Sequence, residues 1–373
     1  MRAYCHIGHH KTGTTSLQDF LSSNVPQLLR AGIIYPWVET QGAAFAVASA
    51  AGRAKIPDVL PINIREAQNA LAFRMLADSV TEWKVPSYHA DLPHSRQMML
   101  AIRNQIEQIA PDAIVLCSEV MSHFGKVRQD QISRLRKVAL EDVEDITLWC
   151  TLRRPDEQLT SWHAQQVRFG MSPEPLSDPA KGLNLKWLHV DYRGVIAPWI
   201  EHIPEAEVKL RPYREVMAQG GSVEDFVKNS GIAFPKDMQP ARRLNVSLPP
   251  AVVSLLREAN AVLPKPAANE LSGIMSLLSP GLDLASAKEV EFLGQASRDR
   301  LAAHFTPIHE WLSEISGRDR FFDDIEEMRA CRPVPERVAL RQLLDQLSPE
   351  LFQLAKHSEI AGFIRSFRED FRP

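Results

Sequence analysis

A polar loop between the first apolar strand and the first helix carries residues that can hold an anion. It reads Gly8-His-His-Lys-Thr-Gly-Thr-Thr, and its backbone N–H groups and the next helix N-terminus can cradle a phosphate or sulfate. Two glycines and a final hydroxyl of a Walker A loop are kept. Thr14, however, stands at the lysine position, and the lysine appears earlier, as Lys11. The positive charge is therefore moved into the loop.

A second anion-binding pattern follows the apolar run 146–152. Arg153 comes directly after this run, Pro155 is a favoured first helical residue, and Ser161 lies about two helical turns further on. The forked donors of an arginine beside a serine hydroxyl make a small anion clamp. Enzymes of nucleoside triphosphates hold Mg²⁺ with an aspartate at such a strand end. Here the two buried strands end in Ser118-Glu119 and Arg153-Arg154, so no metal is expected.

Together the two motifs resemble those of sulfotransferases that use 3′-phosphoadenosine 5′-phosphosulfate (PAPS). The run His9-His-Lys-Thr-Gly-Thr-Thr-Ser is similar to that family's 5′-phosphosulfate loop, K-[ST]-G-T-T, and the Arg153 motif matches its R-x-P-x-x-x-x-x-S pattern. The resemblance implies that Lys11 contacts the sulfate and the bridging oxygen, and that Arg153 and Ser161 bind the 3′-phosphate. The 5′-phosphate would be held by Thr12, Gly13, Thr14, Thr15 and Ser16.

The resemblance covers residues 1–325, strongly at these motifs and loosely between them. Arg242 and Arg243 stand where many members place a basic loop that closes over the nucleotide. The resemblance implies that both arginines contact the cofactor, and the alternative is that they form a solvated basic turn. Arg154 departs from the family pattern, which often has Asn or Asp at that position.

Transfer of a sulfuryl group to a hydroxyl or amine also requires a base near the acceptor. Glu119 is the leading candidate, because it follows a buried strand and catalytic groups gather at the carboxyl ends of strands in open α/β sheets. Its alternative role is to cap the next segment or to pair with an arginine. His10 is the main rival, since a neutral imidazole can accept a proton near pH 7. His123 and His163 are lesser candidates.

Alternating strands and helices must position these residues. Apolar runs predict strands at 3–8, 32–36, 113–117, 146–152 and 206–210, and helical periodicity predicts helices at 16–31, 64–83, 98–109, 132–140, 155–170 and 192–200. This order favours an α/β fold, which we predict to be a P-loop-type three-layer sandwich with a mostly parallel central sheet and additional helices.

The predicted domain spans residues 1–330, and residues 37–95 are interpreted as an insertion on the substrate side. Residues 331–373 form a helical C-terminal tail. Its leucine stripe is too short for an independent coiled coil, so we expect it to pack on the body of the protein. The stripe contains Leu340, Leu343, Leu344, Leu347, Leu351 and Leu354.

Composition narrows the class of partner. The net charge is −3 and the four cysteines have no metal-ligand spacing, which argues against a nucleic-acid partner and against a metal site. The absence of a signal peptide and of a long apolar stretch predicts a cytoplasmic protein without an integral membrane segment.

The predicted enzyme is a sulfotransferase with PAPS as co-substrate and no metal. Its acceptor would be a small molecule, a carbohydrate or a lipid, and its oligomeric state is left open. Two alternatives are kept at this stage. One is a magnesium-dependent P-loop kinase, and the other is a non-catalytic nucleotide-binding protein of the same fold.

Overall fold

The computed structural model describes residues 1–54, 59–240, 247–348, 352 and 355–370. Two compact units are interleaved along the chain: unit 1 comprises 1–154, 191–244 and 307–323, and unit 2 comprises 155–190, 245–306 and 324–373. The tail at 331–373 belongs to the same unit as 155–190, and the expected insertion at 37–95 lies within unit 1.

The strands and helices have the following bounds. The strands are β1 (Arg2–His6), β2 (Ile33–Ile34), β3 (Ala113–Cys117), β4 (Asp145–Leu152), β5 (Glu207–Pro212), β6 (Val290–Glu291) and β7 (Val334–Pro335). The α-helices are α1 (Thr14–Ser23), α2 (Val25–Arg30), α3 (Thr40–Ala50), α4 (Ile62–Arg65), α5 (Ala67–Ala77), α6 (Ser95–Ile109), α7 (Phe124–Val127), α8 (Asp130–Val138), α9 (Pro155–Arg168), α10 (Tyr192–His202), α11 (Tyr213–Ala218), α12 (Ser222–Asn229), α13 (Pro250–Val262), α14 (Lys265–Leu278), α15 (Gly294–Ser316), α16 (Glu336–Gln346) and α17 (Glu359–Asp370). Short 3₁₀ helices cover Glu119–His123, Ser279–Gly281 and Ile325–Arg329.

The sheet of unit 1 has five strands in the order β2-β3-β1-β4-β5, and every pair in it is parallel. The prediction of an α/β protein with a mostly parallel central sheet is therefore confirmed. After β1 the chain runs to β2 at one edge of the sheet, and after β4 it runs to β5 at the opposite edge. The ends of β1 and β4 consequently flank a topological switch point, where open α/β sheets bind ligands.

Both faces of this sheet are buried, as expected for parallel strands. One face contributes Tyr4, Val115 and Trp149 to a core shared with α1, α2 and α12. The side chains that alternate with them, such as Cys5 and Leu116, are equally buried on the opposite face. Trp149, on β4, is 1% exposed.

The first predicted helix, 16–31, is two helices in the structure. It breaks at Asn24, whose side-chain amide donates to the carbonyl of Phe20 and to that of Gln239. The prediction of one continuous helix was wrong because Pro26 has no N–H to donate to the preceding turn, so it lies in the first turn of a new helix, α2.

Unit 2 is mainly helical, with a two-stranded sheet of β6 and β7 that the sequence did not suggest. Helix α13 packs against α9, α14 and α16. The leucines of the C-terminal stripe that the structure describes, Leu340, Leu343, Leu344 and Leu347, are buried in this unit. Among the described residues, none of the helices is both long and apolar enough to cross a membrane.

Candidate functional site

The loop after β1 is fixed against the end of β4. The N–H of His9 donates to the carbonyl of Thr151 at 2.9 Å, and the N–H of Thr151 donates to the carbonyl of Gly8 at 2.8 Å. Gly8 has a φ of 105°, and a Cβ built on it would lie 2.9 Å from the Cα of Glu119. The loop therefore begins so close to Glu119, the second residue after β3, that a side chain at Gly8 would collide with it, and only glycine fits there.

The threonines of the loop shape it from inside. The hydroxyls of Thr12 and Thr14 donate to the carbonyl of His9 at 2.6 and 3.3 Å. Ser222, at the start of α12, donates its hydroxyl to the carbonyl of Gly13 at 2.8 Å. The two threonine hydroxyls thus stabilise the loop, and their protons are not available to a ligand while these bonds last.

The backbone of the same loop supplies the donors. In the part of the chain that the structure describes, the N–H groups of Thr12, Gly13, Thr14 and Thr15 have no hydrogen-bond acceptor. They precede and open α1, where the helix dipole also favours a negative charge. Lys11 has a φ of 63° and a partly exposed side chain within the loop. This arrangement can hold a phosphate or sulfate group.

Glu119 is held by two amides next to the loop. Its carboxylate accepts hydrogen bonds from Gln18 at 3.4 Å and from Asn69 at 3.2 Å. Burial, and secondarily the charge of Glu66, raise the pKa of Glu119 to about 7, while these hydrogen bonds act in the opposite direction. A carboxyl with such a pKa can accept and return a proton near neutral pH, which is what a general base requires.

Asn69 fixes Glu119 from the region interpreted as an insertion. Besides its bond to Glu119, its Nδ2 donates to Glu66 at 3.1 Å, and its Oδ1 accepts from the hydroxyl of Ser118 at 2.7 Å. Asn69 is 2% exposed, on a helix, α5, that packs against the 3₁₀ helix carrying Glu119. At least this part of 37–95 therefore supports the site from within the core.

His10 and His123 form a pair. Their Nε2 atoms are 3.1 Å apart, so one ring donates and the other accepts. Burial is the main cause that lowers both pKa values, to about 4 for His123 and well below the ordinary value for His10, on which the charge of His123 also acts. Both rings are neutral at pH 7 but bind a proton weakly, so Glu119 matches the task of a base at neutral pH better.

Arg153 lies at the end of β4, as expected, and its guanidinium stands 4.8 Å from the centre of the Tyr213 ring. Its carbonyl accepts a hydrogen bond from the Tyr192 hydroxyl at 2.6 Å. Ser161 lies on α9 in unit 2, whereas Arg153 belongs to unit 1. Their joint clamp therefore stays a prediction. His163 also lies in unit 2, and Arg242 and Arg243 fall outside the described residues.

Sequence reasoning missed the residues that hold the site in place. Gln18 and Asn69 position Glu119, Ser222 holds the loop, and two tyrosines hold Arg153. Gln18 alone carried a local signal, since it lies one helical turn after Thr14 on α1. The others lie on elements distant in sequence, so no local spacing indicates them.

Comparisons with known proteins assign no activity to this chain. No family model matches it, and no solved structure matches it. A stretch of 141 residues is 28% identical to an uncharacterized protein of Archaeoglobus fulgidus, and the match covers 38% of this chain and 37% of that protein. The chain thus spans little more than a third of the length of the curated relative it matches.

Proposed function

We propose that the chain is a sulfotransferase that moves the sulfuryl group of PAPS to a hydroxyl or amine. One observation carries this proposal: Glu119, with a pKa of about 7, lies so close to Gly8 that a Cβ there would be 2.9 Å from its Cα, and four N–H groups of the loop that Gly8 begins have no acceptor in the described residues. A proton acceptor and an anion cradle therefore meet at the carboxyl edge of a parallel sheet.

The choice of PAPS over ATP is supported by the residues of the loop and of the strand ends. Thr14 occupies the position of the Walker A lysine, and the lysine of this loop lies three positions earlier, as Lys11. The residues that follow β3 and β4 are Ser118-Glu119 and Arg153-Arg154, so neither strand is followed by an aspartate for Mg²⁺. The resemblance of both motifs to PAPS-dependent sulfotransferases points the same way. The P-loop type of the fold is part of this proposal.

In the proposed reaction the acceptor oxygen or nitrogen attacks the sulfur of PAPS, and the bond from sulfur to the bridging phosphate oxygen breaks. Glu119 takes the acceptor proton, and Lys11 with the N–H groups of 12–15 stabilises the charge that develops on the leaving phosphate. Arg153 binds the 3′-phosphate, with Ser161 as its predicted partner. The products are the sulfated acceptor and adenosine 3′,5′-bisphosphate.

Calorimetry tests the donor. We expect adenosine 3′,5′-bisphosphate to bind without a metal and ATP with Mg²⁺ to bind at least tenfold more weakly. Arg153→Ala should weaken bisphosphate binding, whereas Arg134→Ala, an arginine on α8, should leave it unchanged. Magnesium-dependent ATP binding without binding of the bisphosphate would favour the kinase and refute the proposal.

A screen of hydroxyl and amine acceptors with ³⁵S-labelled PAPS tests catalysis. We expect label transfer to at least one acceptor, lost by about 10²-fold or more in Glu119→Gln and in Lys11→Ala. The control is Lys137→Ala, an exposed lysine on α8. Bisphosphate binding without transfer to any acceptor would instead indicate a non-catalytic nucleotide-binding protein, and transfer that survives Lys11→Ala would disprove the mechanism.

A further inference from the structure

Unit 2 contains a cleft that the proposed chemistry does not use. Its volume is about 200 Å³, and all the residues that line it belong to α9 or to the segment 173–187. This is smaller than the roughly 300–1,000 Å³ typical of sites for drug-sized ligands. The volume therefore suits a ligand about the size of a single ring.

Two tryptophans form an aromatic corner of the cleft. The rings of Trp162 and Trp187 are 5.7 Å apart and inclined at 79°. His189, which is fully buried, lies 4.1 Å from Trp162 and 4.7 Å from Trp187, and its Nδ1 is 3.1 Å from the side-chain nitrogen of Gln158. Because His189 packs on both rings and is itself held by Gln158, the aromatic corner is rigid before any ligand binds.

His163 gives the cleft a polar atom with no partner. This side chain lines the cleft and is 2% exposed, yet its Nε2 has no hydrogen-bond partner among the described residues. Burial lowers the pKa of His163 to about 4, so the ring is neutral at pH 7. A buried polar atom without a partner costs free energy that a ligand hydroxyl would recover.

The other polar lining residues are amides and one charge of each sign. Gln166 and Asn184 present side-chain amides, and Glu174 and Lys181 bring opposite charges. Asn184 is exposed, and its Oδ1 already accepts from the N–H of Lys186 at 3.2 Å, which fixes the direction of its NH₂ group. A lining without net charge disfavours an anion and favours a neutral ligand with several hydroxyls.

We propose that this cleft binds an uncharged sugar ring. A pyranose presents a face of C–H groups, which packs on the electron-rich face of an indole, and a rim of hydroxyls, which pair with amides and with the Nε2 of His163. A free sugar and a glycan chain offer the same ring, so the proposal covers both sources. The inference concerns unit 2 alone and does not depend on the sulfotransferase proposal.

Titrations of the full-length protein without nucleotide test this site. Methyl glycosides of common hexoses and N-acetylhexosamines, and their disaccharides, would be titrated by calorimetry and by ligand-observed NMR. We expect saturable binding of at least one glycoside with a Kd of about 1 mM, equivalent to −4.1 kcal/mol. Tighter binding of a disaccharide would identify a glycan chain as the source, and equal binding would identify the free sugar.

Variants localise the binding. Trp187→Ala should weaken it tenfold or more and Trp187→Phe much less, because phenylalanine keeps a flat apolar face. Asn184→Ala, at an exposed position that does not threaten folding, should weaken it severalfold. Its matched control, Lys186→Ala, changes an exposed residue two positions away that does not line the cleft, and should leave binding unchanged.

Two results would overturn the inference. One is the absence of saturable binding for every glycoside, and the other is binding that all these variants leave intact. Phenol serves as the comparator for an apolar ring. If phenol bound better than any glycoside and Asn184→Ala did not affect the glycosides, the cleft would be an aromatic pocket and the sugar proposal would fail.

Discussion

At the residue scale, Glu119 depends on its surroundings for its protonation. Its carboxyl is buried near Glu66, and both factors favour the neutral form, while Asn69 and Gln18 favour the charged form. The folded protein therefore holds this proton more tightly than the unfolded chain does. This difference makes the stability of the protein depend on pH, because a raised carboxyl pKa costs folding free energy once the group must ionise.

We expect Glu119→Gln to remove part of this dependence. In the wild type, the contribution of Glu119 to the free energy of unfolding is fully present below pH 4.5 and is lost as the pH rises to about 7. The pKa difference corresponds to about 3 kcal/mol of unfolding free energy. Urea unfolding at pH 5 and pH 8 should show a smaller loss of stability in Glu119→Gln than in the wild type. Glu82→Gln, at an exposed carboxylate, is the control. An equal loss of unfolding free energy between pH 5 and pH 8 in all three proteins would contradict the prediction.

Asn69 should set how far the pKa of Glu119 rises. Its Nδ2 donates to the charged carboxylate, so Asn69→Ala removes a stabilising hydrogen bond and should move the Glu119 pKa further above 7. Carboxyl ¹³C NMR of protein labelled at glutamate measures this pKa directly. Asn63→Ala is the matched control, because that amide bonds to His89 and Ala90 instead. A pKa that stays or falls in Asn69→Ala would refute the assignment.

At the scale of elements, the position of the loop depends on a close backbone approach. We expect Gly8→Ala to be more destabilising than Gly52→Ala. Both glycines have positive φ, but a Cβ at Gly8 meets the Cα of Glu119 at 2.9 Å, and one at Gly52 meets nothing within 4 Å. A positive φ costs a residue with a Cβ roughly 1–3 kcal/mol in either variant, and overpacking adds about 1–3 kcal/mol at Gly8 alone. Urea unfolding of the two variants measures the difference in unfolding free energy. Equal losses of unfolding free energy in both variants would show that Glu119 moves away from the added Cβ without destabilising the protein.

The sequence predicts elements better than it predicts the contacts between them. The apolar run Ala113–Cys117 coincides with β3, and the loop after β1 lies where the Gly/Thr pattern indicates. These features are local, because a buried parallel strand needs a continuous apolar run. The bond of Ser118 to Asn69 spans 49 residues, and that of Ser222 to Gly13 spans 209. Such contacts follow from packing in three dimensions, so neither periodicity nor spacing could indicate them.

At the scale of the whole molecule, each unit is assembled from three separate segments of the chain. In unit 2 a single side chain joins all three. Arg298 pairs with Asp156 of the first segment at 3.5 Å and with Glu291 of its own segment at 2.9 Å, and it donates to the carbonyl of Met328 in the third at 2.9 Å. The side chains of Arg298 and Asp156 are at most 1% exposed, so the arginine compensates a charge that water cannot reach.

Replacing this arginine should therefore loosen unit 2. Arg298→Met keeps the apolar stem but removes the cation of a buried ion pair from Asp156 and Glu291, a loss that costs about 3–5 kcal/mol. Asp156 keeps a longer contact with Arg332 at 3.8 Å. We expect faster amide hydrogen exchange in α9, β6 and the 3₁₀ helix 325–329, which Arg298 connects. Arg300→Met, on the exposed side of the same helix, controls for the loss of one positive charge. If both variants exchanged like the wild type in these three elements, Arg298 would not be what holds the segments of unit 2 together.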